Sequence, residues 1–245
     1  MKKQFEGLNA IVTGGTRGIG RATSEMLLRD GAAVTAVYGG DDASAAAFAA
    51  EWSDYPLTVA KLDVADYVAC EVFFLDYEQK HDSLDILVNS AGIRIDSVLG
   101  MMKPMDWERV LAVNLTGSFN VCKFAVHQMM SKRNGRIVCV TSPSGRLGFA
   151  GQCNYAASKA GQVAMIKSLS KEVARRGITA NCVSPGFIET ELIADLSEDL
   201  IKEYRSHIPM RRFGKPEEIA EAIRFLVSRE ASYITGTVLE VSGGL

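Results

Sequence analysis

Short apolar runs that read as buried strands alternate along this chain with longer stretches of helical pattern, and that alternation narrows the possible folds more than any other feature. Ala10-Ile11-Val12 is the first run, followed by a helix from about Gly18 to Asp30 closed by Gly31. Strand patterns at Ala32 to Tyr38, Leu57 to Leu62 and Asp85 to Val88 enclose helices from Asp41 to Ser53 and Asp66 to Lys80. A long helical pattern from Pro104 to about Lys132 leads to a strand at Arg136 to Val140. A helix ending at Arg176 and stopped by Gly177 leads to Ile178 to Val183, and Val238 to Val241 is the seventh strand. Such alternation implies an α/β chain with a seven-stranded parallel sheet and helices on both faces. Right-handed crossovers make that sheet doubly wound, with ligands at the carboxyl ends of its strands. No internal repeat, low-complexity tract or linker divides residues 1–245, so one domain is expected.

Thr13-Gly14-Gly15-Thr16-Arg17-Gly18-Ile19-Gly20 lies where the first strand turns into the first helix. Glycines at 14, 18 and 20 let the backbone approach a pyrophosphate and let the helix pack on the strand, while the helix N-terminus faces negative charge. The spacing is G-x-x-x-G-x-G rather than G-x-G-x-x-G, so a glycine-rich structural turn is the alternative, one that the motif's place on the first βα turn weakens sharply. The second strand ends in Val37-Tyr38-Gly39-Gly40, with Asp41 and Asp42 expected to lie past reach of an adenosine 2′-hydroxyl. Arg17 either pairs with a 2′-phosphate or is a solvated turn residue; the former favours NADP(H) over NAD(H). Asp63-Val64, ending the third strand, could hold the adenine edge, and Asn89-Ser90-Ala91-Gly92, ending the fourth, could line the cofactor. A capping turn explains either equally well.

Tyr155 and Lys159, four apart on the helix that stops at Gly177, share one face. A phenol gives up its proton reluctantly at neutral pH. An ammonium ~4 Å away, at an effective dielectric of ~20, favours the phenolate by about 4 kcal/mol, which suits a Tyr to acid–base work. An ordinary exposed pair is the bland reading, and only the rest of the chain argues against it. Ser142 ends the fifth strand, thirteen residues before Tyr155, where its hydroxyl either points into the ligand crevice or closes a turn. Asn114, with Thr116 and Gly117 close behind, sits badly in a regular helix. It is either a satisfied core amide or a local opening that binds water.

Composition excludes several classes. A net charge of -2 and a pI near 6.0 provide no basic field for nucleic acid. Five scattered cysteines and three dispersed histidines lack metal-ligand spacing, so no metal is expected and the cysteines read as reduced thiols. No stretch approaches the ~18 apolar residues of a membrane span, and no apolar run follows the basic start Met1-Lys2-Lys3. A soluble, cytoplasmic protein is the expectation.

The glycine turn, Asn89-Ser90-Ala91-Gly92, Asn114, Ser142, Tyr155-x-x-x-Lys159 and Pro185-Gly186, in this order over essentially the whole chain, resemble the short-chain dehydrogenase/reductase family. Gly148 to Tyr155, Val183 to Thr190, Arg212 to Ile219 and Ala231 to Gly236 are similar to its β-ketoacyl-[acyl-carrier-protein] reductase branch. Two stretches depart from the pattern. The common Asn-Asn-Ala-Gly is Asn-Ser-Ala-Gly here, and Pro143 to Leu147 with Leu192 to His207, which set substrate preference, are less typical.

The resemblance implies a Rossmann-like NAD(P)-binding domain whose lid-like substrate segment spans about 187–213. It also implies that NADPH delivers hydride to a ketone carbon. Ser142 would then bind the carbonyl oxygen, Tyr155 donate the proton, Lys159 hold the ribose and assist Tyr155, and Asn114 anchor a relay water. Gly14, Gly15, Thr16, Arg17, Gly18, Ile19, Gly20, Gly39, Asp63, Val64, Asn89, Ala91, Gly92, Pro185, Gly186, Ile188 and Thr190 would complete the cofactor site with Tyr155 and Lys159. A homotetramer is implied, with Phe119, Ala125, Ala156, Ala160 and Ala164 as outer positions facing a partner helix. Arg133 and Arg176, at helix C-termini, either dock an acidic acyl-carrier protein or only complement helix dipoles. The segment after Gly186 is a mobile cover or a fixed helix pair. Two other functions stay open: reduction of another ketone, sugar or steroid, and nucleotide-dependent regulation without turnover.

Overall fold

The computed structural model describes residues 3–190 and 198–245. Seven strands, β1 (Asn9–Thr13), β2 (Ala33–Tyr38), β3 (Leu57–Lys61), β4 (Ile86–Asn89), β5 (Gly135–Val140), β6 (Ile178–Pro185) and β7 (Val238–Val241), form one sheet. Its order is β3-β2-β1-β4-β5-β6-β7 and every pairing is parallel. The chain winds outward from β1 to β3, returns to β4 beside β1, and winds outward the other way. The doubly wound sheet is therefore as expected, and its switch point lies between β1 and β4, where Thr13 stands in register with Asn89.

Successive side chains of a strand face opposite sides, so the central strands feed two cores. Val12, Val138, Val140 and Val183 enter one core, against α1 (Gly18–Arg29), α2 (Asp42–Glu51) and α9 (Pro216–Val227). Ile11, Ile137, Cys139 and Cys182 enter the other, against α3 (Tyr67–Lys80), α5 (Gly117–Lys132) and α7 (Cys153–Val173). This double burial explains why the strands read as continuous apolar runs rather than alternating ones. Between β5 and α7 lies the short α6 (Ser144–Leu147), and α8 (Glu198–His207) precedes α9.

Helix boundaries follow local chemistry. Asp41 and Asp66 cap α2 and α3 by accepting the Ser44 and Ala69 amides at 3.0 Å each. Gly31, with φ of 95°, and Gly177, with φ of 72°, take the left-handed conformation that ends the helices before them. Pro104 to Lys132 is not one uniform helix. α4 (Pro104–Leu111) passes through a π-helical stretch, Ala112–Thr116, before α5 begins, so the expected irregularity around Asn114 takes the form of one widened turn. Ala125, expected on an outer face, is fully buried against the sheet; Phe119 on the same helix is 49% exposed. Six positions turn a helix through about 600°, which leaves these two side chains well apart around the axis. Of the lid-like segment, residues 191–197 lie outside the described residues. Among those described, no helix is long and apolar enough to cross a membrane.

Candidate active site

The carboxyl ends of β1 and β4 are stapled by Thr13. Its hydroxyl donates to Asn89 Oδ1 at 2.8 Å and accepts the Ser90 and Ala91 amides at 3.1 Å. Asn89 also donates to Ser118 Oγ at 2.7 Å and, more weakly, to Cys139 Sγ at 3.4 Å. The Asn89 side chain is thus an internal strut, its oxygen on Thr13 of β1 and its nitrogen on Ser118 of α5.

The strut continues into α7. Ser118 Oγ donates to the Asn114 carbonyl, which also accepts Gln162 Nε2 at 2.7 Å. The Asn114 side chain is fully buried and satisfied on both ends. Its oxygen accepts the Ile93 amide at 2.8 Å, and its nitrogen donates to the Ile93 carbonyl at 2.9 Å and Ser158 Oγ at 3.1 Å. Ser158 Oγ in turn donates to the Tyr155 carbonyl at 2.7 Å. Asn114 therefore fastens the loop after β4 to α7, which is the core-amide alternative. Ser118, Ser158 and Gln162 escaped the sequence reading. Their one signal is polar residues four apart (Asn114–Ser118, Ser158–Gln162) where two buried helices meet.

Lys159 is 4% exposed; its ammonium donates to the Val140 carbonyl at 2.9 Å and sits 5.5 Å from the centre of the Tyr155 ring. Tyr155 itself is half-buried. A side chain at Gly92 would meet Asn114 Oδ1 at 3.4 Å and Lys159 Nζ at 3.6 Å, so this glycine keeps the space in front of both open. Ser142 follows β5, half-buried, its oxygen accepting the Ser144 amide at 3.2 Å. That is the turn-closing role, and it leaves the hydroxyl at the end of the strand. Asn114, Tyr155 and Lys159 are thus tied into one cluster around Gly92, with Ser142 two residues past Val140, whose carbonyl holds Lys159.

The glycine turn leaves backbone amides uncapped at the start of α1. Gly14 and Gly18 have φ of 65° and 52°, and a side chain at Gly20 would come within 2.0 Å of the Gly14 carbonyl oxygen. The first turn of α1 carries no acidic residue and no side-chain cap, so its amides remain open to a ligand. Thr16 is buried, Arg17 is exposed, and Thr190 reaches across to Gly18. Ile188 is buried and pairs with Gly214, while the Gly186 amide donates to Val241, so the chain after Pro185 is directed toward the glycine turn.

Around Gly39 and Gly40 there is open space. The nearby acids are engaged elsewhere. The Ser44 amide and hydroxyl hold the Asp41 carboxyl below its ordinary range, with a smaller attraction from Arg17. Lys61 and the Tyr38 hydroxyl do the same for Asp42. Asp63 pairs with Arg109 at 3.1 Å, and Val64 is buried with its carbonyl accepting Asn120 Nδ2 at 2.9 Å. Four thiols, Cys70, Cys122, Cys139 and Cys182, are buried, and burial raises them all, Cys70 to about 11. Arg133 and Arg176 are exposed where β5 and β6 begin, the sheet edge opposite Ser142; Arg133 donates to the Arg175 carbonyl at 3.0 Å.

Comparison with known proteins agrees with this geometry. A family model described as enoyl-(acyl-carrier-protein) reductase matches residues 14–245. The chain is 42% identical to the 3-oxoacyl-[acyl-carrier-protein] reductase FabG of Aquifex aeolicus, covering 100% of both chains. It is 44% and 43% identical to the proteins of the same name from Salmonella typhimurium and Escherichia coli, covering 98% of each chain. Among solved structures, that titled "Crystal structure of gox2181" superposes with a TM-score of 0.94 at 33% identity, covering 99% of this chain and 97% of the other. The chain belongs to the short-chain dehydrogenase/reductase family, whose members work with a nicotinamide cofactor.

Proposed function

We propose that this protein is an NADPH-dependent oxidoreductase that reduces 3-oxoacyl thioesters, presented on acyl-carrier protein, to 3-hydroxyacyl thioesters in fatty-acid synthesis. The observation that supports it most is the Tyr155–Lys159 pair fastened beside Gly92 and Ser142, in a chain similar over its whole length to enzymes named for that reaction. The open α1 N-terminus and the glycine turn fit a dinucleotide pyrophosphate. Arg17, with open space at Gly39 and Gly40 and both neighbouring acids engaged, fits a 2′-phosphate.

The bound nicotinamide supplies the hydride. The chain's own residues meet the negative charge that develops on the substrate oxygen: Ser142 donates a hydrogen bond to it, and Tyr155 donates the proton that completes the alcohol. Lys159, held by the Val140 carbonyl, stations its charge beside the Tyr155 ring. Asn114 keeps Ile93, and through it Gly92, at the correct height against α7. We further read Phe119, Ala160 and Ala164, which are exposed on α5 and α7, as contacts within a homotetramer. Arg133 and Arg176 are then a docking site for the carrier that serves a neighbouring subunit's crevice. Five thiols without a disulfide suit the reducing cytoplasm.

The test is NADPH oxidation with an acetoacetyl thioester, set against a crotonyl thioester and a panel of ketones and ketoses, with NADP+ reduction by polyols followed alongside, for the wild type and Tyr155→Phe. The acetoacetyl thioester should be preferred, and the variant should bind NADPH normally while losing about 10²–10⁴-fold in turnover. Near-normal turnover by Tyr155→Phe would sink the mechanism, and preference for the enoyl or sugar substrate would sink the substrate assignment.

A further inference from the structure

Ser142 is held by the residue two places on. The Ser144 amide donates to Ser142 Oγ at 3.2 Å, and the two hydroxyl oxygens are also 3.2 Å apart. Ser144 is only 4% exposed, and its Oγ lies 3.0 Å from Gln152 Oε1. At its other end Gln152 presents Nε2 to Asp96 Oδ2 at 3.5 Å, and Asp96 pairs with Arg94 at 3.2 Å. The direction of each proton follows from what each group can donate. An ionised carboxylate only accepts, so Asp96 takes the amide nitrogen of Gln152 and turns the amide oxygen toward Ser144. That oxygen also only accepts, so Ser144 gives its single proton to Gln152. The Ser144 oxygen is left as an acceptor and receives the proton of Ser142.

We propose that Ser144 is a positioning residue for Ser142, itself oriented by Gln152 and Asp96. The inference rests on the reading of Ser142 as the hydroxyl that binds the reacting carbonyl. Before substrate arrives, the relay fixes both the rotamer of Ser142 and the direction of its proton. When a carbonyl oxygen enters, the proton swings to it while the Ser144 amide keeps the Ser142 oxygen in place. Ser144 touches neither substrate nor cofactor; without its hydroxyl Ser142 is held by the amide alone and samples other rotamers, so a smaller fraction of bound substrate is aligned and the loss falls on kcat rather than KM.

A double-mutant cycle tests this. kcat and KM are measured for wild type, Ser144→Ala, Gln152→Met and Ser142→Ala, and for Ser144→Ala and Gln152→Met each combined with Ser142→Ala. The substrate is whichever carbonyl compound the wild type turns over fastest, and NADPH affinity is followed by fluorescence. Ser144→Ala should lower kcat by about 2- to 12-fold, the equivalent of one hydrogen bond, with KM within about twofold. Gln152→Met should act in the same direction and supplies the cycle if Ser144→Ala folds poorly. Neither change should lower kcat further once Ser142 is alanine, because both act through its hydroxyl. The same loss persisting in the Ser142→Ala background, or unchanged kcat in both single variants, would overturn the proposal. The wild type's choice among substrates reports separately on the substrate reading, so the two failures are distinguishable.

Discussion

Removing the Asn114 side chain as Asn114→Ala deletes three hydrogen bonds at once, two to the Ile93 backbone and one to Ser158, at 2.8–3.1 Å. Each is worth about 0.5–1.5 kcal/mol net, so the loss is about 3 kcal/mol at the middle of that range. The Asn114 carbonyl that receives Gln162 and Ser118 survives the substitution, so the π-helical turn keeps its own fastening. For a chain of this size about 3 kcal/mol lowers Tm by about 6–12 °C. Differential scanning calorimetry at fixed protein concentration reads this directly. Because Ile93 adjoins Gly92, which faces Lys159, freeing it should also lower kcat at 25 °C by at least about tenfold. Asn114→Asp keeps an acceptor for the Ile93 amide but loses both donors and sets a carboxylate against the Ile93 carbonyl. It should be at least as destabilising at pH 7. A Tm loss under about 2 °C with kcat unchanged would show that the loop after β4 does not depend on this amide.

Arg17→Ala should weaken NADPH far more than NADH, by about 10- to 150-fold if a charge-assisted pair of about 1.5–3 kcal/mol is lost. Equal losses in fluorescence titrations would leave Arg17 with a turn role alone. The Arg212 guanidinium, with the Lys215 amide, holds the Glu218 carboxyl down to about 2. A carboxyl lowered on folding stabilises the fold above its ordinary value and loses that contribution as pH falls. The Tm gap between wild type and Glu218→Gln should therefore narrow by more than half between pH 5 and pH 3, and an unchanged gap would contradict it. Reversing Arg133 and Arg176 together to Glu should raise KM for a carrier-bound substrate, less so at high salt, while leaving a small uncharged thioester untouched. If both substrates suffer alike, these arginines are structural.

The strand and helix alternation, the glycine turn and the pairing of Tyr155 with Lys159 are local properties, and the sequence by itself determined them. Period, turn chemistry and four-residue spacing are carried within one element, so the sheet and the face shared by the pair could be inferred without neighbours. Ala125 shows where this reasoning ends: a small residue reads alike on either face of a helix, and only packing on the sheet decided its burial. Asn89 shows the same limit, since its partners Thr13 and Ser118 stand 76 and 29 positions away. The fastening of Asn114 to Ile93 and Ser158 spans 21 and 44 positions. Such bonds form only when the two windings of the sheet bring β1, β4, α5 and α7 together. A buried amide takes its role from the donors and acceptors that the fold delivers to it, and no spacing along the chain encodes that delivery.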